Sequence, residues 1–381
     1  MQVCIYAKRY QSDFWYQGYT LTLPAHQMAM ENAKQCARVA DGEGYSLELV
    51  GQWPDFLYEP LETCSATLEE LNFLAQKLSQ MSQEEMDTYE GVIQSVPERA
   101  IRNLINAAYN LDRFELLPGI MDEEELGEVS MENDLVPAIR NLPDEVYPLL
   151  SLQKVGHYVK EQEQGVFTSK GYCCRSTEGW VEPYDGRELP EQVTEVDCIF
   201  CLRLQSLKTK ADAWLELPCD EGRIRQALAD LGIHTFQECT IMEIRSPIPQ
   251  FEYAFSQAAE VEKMNALAKE LATLSPKELI KYKAIASYES CDNPEQARIL
   301  YHTMDRYTFD PIQVTFATYG RECLREGGAN LEAEAFQNFD FESYGKAESR
   351  RNRLSMTPYG AISYEPPLEE AQGHGIQMGG M

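Results

Sequence analysis

Cys4-Ile5-Tyr6-Ala7 returns 194 positions later as Cys198-Ile199-Phe200-Cys201, and Leu21-Thr22-Leu23-Pro24 returns at the same offset as Leu215-Glu216-Leu217-Pro218. Further matches follow in order. Leu71-Asn72-Phe73-Leu74-Ala75 answers to Met264-Asn265-Ala266-Leu267-Ala268, and Leu78 and Tyr89 answer to Leu271 and Tyr282, all 193 apart. Pro97-Glu98 returns as Pro294-Glu295, and Gly156 and Gly171 return as Gly345 and Gly360, the glycines at an offset of 189. Ordered matches with slowly drifting offsets constrain a chain more than any single motif, because both stretches must fold to one plan. The expected organisation is copy one over residues 1–176, an acidic linker at 177–194, copy two over 195–364, and a tail at 365–381 rich in Pro, Gly and Met.

Each copy is expected to open with a strand, Gln2–Ala7 or Cys198–Leu204, with a helix beginning at Pro24 or Pro218. After Thr67, apolar residues at 68, 71, 74, 75, 78 and 81 follow a helical period. Ser/Thr followed three residues later by Glu predicts capping boxes at Thr67–Glu70, Ser82–Glu85, Ser95–Glu98 and Ser275–Glu278, the last with Pro276 at the first helical position. Each copy then closes with a short helix around Gly156 or Gly345 and a strand after Gly171 or Gly360. The fold class expected is α+β: two tandem, diverged copies of an elongated module with short strands and a helix-rich middle.

Charge narrows the function. Against 62 Asp and Glu stand 33 Lys and Arg, a net charge of -29. Such an excess destabilises a compact chain by self-repulsion, so it calls for an explanation. Solubility or a salty habitat is one; a basic partner surface that otherwise holds nucleic acid is the other. With 44% hydrophobic residues the chain is not a disordered acidic tail. Single-strand binding through its aromatic residues needs a basic groove, which this charge argues against.

The acids are unevenly placed. Copy one holds 28 acidic and 13 basic residues, net -15; the linker adds -4; copy two together with the tail holds 29 and 19, net -10. Glu84, Glu85, Asp87 and Glu90 fall within about 9 Å of helix axis at 1.5 Å per residue. Asp112, Glu115, Asp122, Glu123, Glu124, Glu125, Glu128, Glu132, Asp134, Asp144 and Glu145 follow, opposed only by Arg113 and Arg140. At one charge per 1.7 Å of duplex, the net charge corresponds to about 50 Å of B-DNA and all carboxylates to about 105 Å, a scale of roughly 15–30 base pairs. For any single residue, helix capping or a solvated face is the competing explanation, as at Glu70, Glu85 and Glu98.

The Met1-Gln2-Val3 strand, the Leu-x-Leu-Pro at 21–24, the Leu68-Glu69-Glu70-Leu71-Asn72 helix start and the Gly156…Phe167-Thr168…Gly171 ending together resemble the ArdA antirestriction family. The resemblance spans nearly the whole chain, twice, and rests on order and spacing. It implies a protein of conjugative elements: an elongated dimer whose carboxylates imitate DNA phosphates. Such a protein occupies the DNA-binding groove of type I restriction–modification enzymes, at the methyltransferase–specificity core, and blocks cleavage and modification without catalysis. Two fused copies would form a pseudo-dimer within one chain, or the chain a homodimer. Lys277, Lys281, Lys283, Arg350, Arg351 and Arg353 dilute a phosphate-like track in copy two, whose role as mimic or scaffold stays open. A protein–protein adaptor, or an inhibitor of another DNA-binding defence system, is the alternative.

Catalytic and metal chemistry is not expected. Cys198 and Cys201, with Cys173-Cys174, suggest zinc, yet the repeat aligns Cys201 with Ala7 and Cys198 with Cys4, so strand thiols are the better reading. His26, His157, His234, His302 and His374 show no ligand spacing, and no phosphate loop or nucleophile elbow is present. No cofactor, direct nucleic acid contact or membrane partner is expected. Eleven cysteines without an export signal point to reduced thiols in the cytoplasm.

Overall fold

The structure, a computed structural model, describes residues 1–365 apart from 12–15, 41, 97, 141, 144 and 191–197. The chain is α+β. Its first half contains β1 (Gln2–Ala7), β2 (Tyr19–Thr22), α1 (Gln27–Cys36), β3 (Tyr45–Val50), α2 (Asp55–Thr63), α3 (Leu68–Gln80), α4 (Gln83–Ser95), α5 (Ile101–Ala107), β4 (Phe114–Pro118), α6 (Glu123–Glu132), α7 (Leu152–Glu163), β5 (Val166–Phe167) and β6 (Gly171–Arg175). The second half contains β7 (Phe200–Ser206), β8 (Asp212–Leu217), α8 (Glu221–Leu231), β9 (Cys239–Arg245), α9 (Pro249–Ala254), α10 (Val261–Leu271), α11 (Pro276–Tyr288), α12 (Pro294–His302), β10 (Tyr307–Asp310), α13 (Phe316–Glu326), α14 (Phe341–Arg351), β11 (Leu354–Thr357) and β12 (Gly360–Tyr364).

Among the described residues, the four three-stranded sheets come in two kinds. The orders β2-β1-β3 and β8-β7-β9 are the same plan, as are β4-β6-β5 and β10-β12-β11. Register is kept too: Leu116 faces Cys173 across β4 and β6, and Phe309 faces Ile362 across β10 and β12, at the offsets of the sequence matches.

Several hydrogen bonds recur with the sequence. Asn72 bonds the backbone of Ala25 in both directions, accepting from its N–H at 2.7 Å and donating to its C=O at 2.9 Å. Asn265 does the same to Cys219, at 2.9 and 3.0 Å. Each therefore satisfies the chain just after a Leu-x-Leu-Pro, where Pro24 and Pro218 follow cis peptide bonds. The phenol of Tyr89 donates to Leu104 O and that of Tyr282 to Ala297 O, both at 2.8 Å. The turn into the last strand is closed by Thr168 around Gly171, and by Thr357 around Gly360.

The capping boxes at Thr67, Ser82 and Ser275 form as expected. The one at Ser95–Glu98 does not: Ser95 is the last residue of α4, and α5 starts only at Ile101 behind Ala100. The helices after Pro24 and Pro218 also start three residues later than expected, at Gln27 and Glu221, where His26 and Asp220 accept a hydrogen bond as N-caps. The opening strand of the second half runs from Phe200 rather than Cys198.

Two compact units divide the chain: Met1–Val3, Thr22–Ala25 and Leu47–Val193 in one, Cys4–Leu21, His26–Ser46 and Thr194–Met381 in the other. Helix α1 thus belongs to the unit built mainly from the second half. Its Cys36 lies in a core with Phe200, Phe251, Phe255, Tyr282 and Ile285. In the other unit, residues 177–190 are not the free linker their composition suggests. Asn106 and Asn110, both fully buried, each make paired hydrogen bonds to this segment, at Tyr184 and Val181. Tyr184 is itself buried and its phenol donates to Glu70 at 2.7 Å.

Candidate acidic partner-binding surface

Helices α6 and α7 cross with their backbones touching. A Cβ on Gly127 would sit 1.9 Å from Leu152 O, and one on Gly156 1.7 Å from Glu123 O. No side chain fits there, so the crossing depends on both glycines. Beneath it lie Ile120, Leu126, Val136, Val155, Val159 and Tyr172, a small apolar core that fixes which face of α6 looks outward. Gly320 and Gly345 make the same crossing between α13 and α14. The Gly127–Gly320 pair, also 193 apart, is a repeat match that sequence comparison passed over.

On α6 the carboxylates divide by role. Asp122 is the N-cap, accepting from Glu124 N and Glu125 N at 2.9 Å, while Glu125 reaches back to Met121 N at 2.6 Å. Glu123 turns toward α7, where His157 Nδ1 at 3.0 Å and Lys160 Nζ at 3.6 Å hold its carboxyl below the usual range. Glu124, Glu128 and Glu132 are exposed and spaced four residues apart, one stripe rising about 6 Å per step. Acids in the first turn stabilise a helix, but one at the C-terminal end opposes the helix dipole. Like charges four apart cost roughly 0.2–0.5 kcal/mol each. No basic residue lies in the last turn. Helix stability therefore explains Asp122 and its neighbours but not Glu128 and Glu132.

The remaining acids scatter. Asp112, Glu115, Asp134 and Glu145 are exposed, whereas Asp144 lies outside the described residues. Glu84 is exposed at the start of α4. Glu85 closes the Ser82 capping box, whose backbone hydrogen bond lowers its pKa. Asp87, half-buried, accepts from Gln83 at 2.8 Å. Glu90 corrects the expectation of an exposed track: it is only 9% exposed and accepts from the hydroxyl of Ser169 at 3.1 Å and from Gln94 at 3.2 Å. Its position on the face of α4 that packs inward removes it from any partner surface. The structure thus brings together the α6 acids, whereas on α4 Glu85 caps the helix, Asp87 and Glu90 bond neighbouring side chains, and Glu84 is exposed.

At the matching positions of α13, Glu124, Glu128 and Glu132 become Ala317, Arg321 and Arg325. Arg321 stacks on Phe341 at 4.9 Å, and Arg325 pairs with Glu322 at 2.8 Å. The crossing persists while the stripe changes sign.

Residues 209–362 match the family model described as antirestriction protein (ArdA). This segment is similar to an ArdA domain. The ArdA match covers β8 through most of β12 and so includes the α13–α14 crossing. Antirestriction proteins of the ArdA family act against restriction–modification systems as inhibitors rather than as enzymes. The acid-rich stretch with α6 lies outside the ArdA match, in the first half. No curated protein matches the chain. All eleven cysteines are free, and the described residues contain no group of His, Cys, Asp and Glu placed to hold a metal. No helix among them is long and apolar enough to cross a membrane.

Proposed function

We propose that the whole chain is an antirestriction protein of two fused ArdA-like copies. In this reading it works as an acidic DNA mimic that occupies the DNA-binding groove of a type I restriction–modification enzyme. The observation that carries the proposal is the Glu124–Glu128–Glu132 stripe. It is exposed and set on a helix locked by a glycine crossing, and helix stability leaves its Glu128 and Glu132 unexplained. The recurring sheet orders, the Asn72 and Asn265 brackets and the two glycine crossings support the duplication.

The first copy carries the inhibitory surface, built on α6 with contributions from Asp112, Glu115, Asp134 and Glu145. The second keeps the scaffold while Arg321 and Arg325 replace its stripe, which suits it to contact rather than mimicry. The partner is the methyltransferase–specificity core, the inhibitor makes no contact with nucleic acid, and free thiols suit a reducing cytoplasm. A cleavage assay with purified type I enzyme tests this directly. Inhibition should be relieved by added duplex DNA and weakened by salt; inhibition indifferent to both rules out the groove as the target.

A further inference from the structure

Between α2, the end of α4, α7 and β5 lies a cavity of about 470 Å³, within the roughly 300–1,000 Å³ typical of small-molecule sites. Its walls divide by chemistry. Phe56, Pro60, Ile93 and Phe167 make it largely apolar, while Arg99 and Lys160 bring two cations to it. Two cations meeting at one apolar cavity stand out in a chain whose net charge is -29.

The matching segment of the second half is filled differently. Pro54-Asp55-Phe56 corresponds to Pro249-Gln250-Phe251 at an offset of 195. The packing agrees: Phe56 meets Tyr89 edge-on at 5.9 Å, as Phe251 meets Tyr282 at 6.3 Å. At that offset Pro60 corresponds to Phe255. The Phe255 ring stacks on Phe251 at 4.4 Å, and both rings are buried. Pro60 is too short to cover Phe56 in this way, and Phe56 stays half-buried. Arg99 and Lys160 correspond to Gln296 and Ser349, at the offsets of Pro97–Pro294 and Gly156–Gly345, so neither cation has a counterpart. The first half thus lacks an aromatic ring and gains two positive charges at one place.

We infer that this cavity binds a small aromatic carboxylate, with its ring against Phe56 and Phe167 and its charge toward Arg99 and Lys160. Aromatic rings pack well on such walls, and a carboxylate accepts charge-assisted hydrogen bonds from both cations. Neither cation is firmly committed elsewhere. Arg99 pairs with Glu59 at 2.7 Å, but Glu59 is 79% exposed, and exposed pairs contribute only about 0–1 kcal/mol. Lys160 stands 3.6 Å from Glu123, whose closer partner is His157 at 3.0 Å. Its ammonium lies over the Phe167 ring at 5.2 Å, which keeps it at the cavity wall.

Isothermal titration calorimetry of the full chain with naphthoate tests the proposal, with naphthamide as the neutral analogue of similar shape. Naphthoate should bind saturably at one site per chain, and naphthamide about tenfold more weakly because it forgoes the charge-assisted bonds. R99Q and K160Q should each weaken naphthoate binding about threefold, the scale of a half-exposed ion pair. E59Q, which removes the competitor for Arg99, should tighten binding by about the same factor. P60F, which gives the first half the ring of the second, should abolish binding with circular dichroism unchanged. Absence of saturable binding at millimolar naphthoate overturns the proposal, as does equal affinity for naphthamide or undiminished binding by P60F. Should P60F fail to fold, the double variant R99Q/K160Q decides: wild-type affinity in it overturns the proposal, and lost affinity upholds it. None of these outcomes bears on inhibition, which the cleavage assay reads separately.

Discussion

Lys283 Nζ lies 2.7 Å from Gln35 Oε1, although 248 positions separate the two residues in the chain. The ammonium is 1% exposed, and its hydrogen bonds run to the amide oxygens of Gln35 and Asn32 rather than to a carboxylate. Burial lowers its pKa from 10.5 to about 8. The pairing ties a helix from the first half of the chain to one from the second, and it makes that tie sensitive to pH.

The sign is opposite to that of a lysine with an acidic partner. Between pH 8 and 10.5 the unfolded chain holds the proton while the folded chain has released it, so the contribution of Lys283 to stability rises with pH across that window. At about 1.4 kcal/mol per pH unit the rise amounts to roughly 2–3 kcal/mol. Below pH 8 it is flat. Urea denaturation of the wild type and K283M at pH 7, 8, 9 and 10 checks this through their difference. Buried groups such as Cys173, pushed up to about 11 by burial, act oppositely above pH 9 but are common to both proteins, whereas Cys36 feels the charge of Lys283, so the difference is read between pH 8 and 9. A difference that stays level or falls contradicts the argument.

Asn72 and Asn265 each saturate the backbone of one residue after the Leu-x-Leu-Pro. N72A and N265A should each lower unfolding free energy by about 1–3 kcal/mol, since a partly buried N–H and C=O lose their partners together. Equal losses would fit two equivalent brackets. A loss below about 0.5 kcal/mol in either would mean water replaces the amide without penalty.

Alanine at Gly127 or Gly345 brings two effects into opposition. Helix propensity favours alanine over glycine by about 1 kcal/mol. Against that, the new methyl group would lie 1.9 or 1.8 Å from a backbone carbonyl oxygen, and backbone cannot rotate away as a side chain does. Overpacking of this kind costs about 1–3 kcal/mol or more, so G127A and G345A should destabilise in thermal melts. Stabilisation would show that the helices have room to part.

Neutralising the stripe should separate inhibition from stability. The triple variant E124Q/E128Q/E132Q relieves two like-charge pairs and an unfavourable dipole contact, so its melting temperature should hold or rise slightly. Its inhibition of a type I enzyme should fall at least tenfold. E90Q is the control: its carboxylate faces Ser169 and Gln94, so inhibition should be unaffected. Undiminished inhibition by the triple variant would remove α6 from the inhibitory surface.

Local signals were legible where a helix start or a strand end sets them. The Thr67, Ser82 and Ser275 caps could be read from three-residue patterns, and α3 from its apolar period. The same pattern misled at Ser95–Glu98, because a capping box needs a helix to begin there, and α4 ends there. The Gly- and Pro-containing segment after residue 176 read as linker; Asn106 and Asn110, more than 70 positions away, bind it down. On α6 the density of acids was plain, but their division into cap, ion pair and exposed stripe was not. That division follows from where α7 crosses.

The sequence alone determined that a series of segments recurs in order and that the charge concentrates in the first half, because offsets, periods and counts are properties of the chain order. Only the tertiary structure decided that Glu90 turns inward, that Glu124, Glu128 and Glu132 face water, and that α1 lies beside Lys283. Burial depends on what packs against a side chain, and those neighbours come from residues tens to hundreds of positions away.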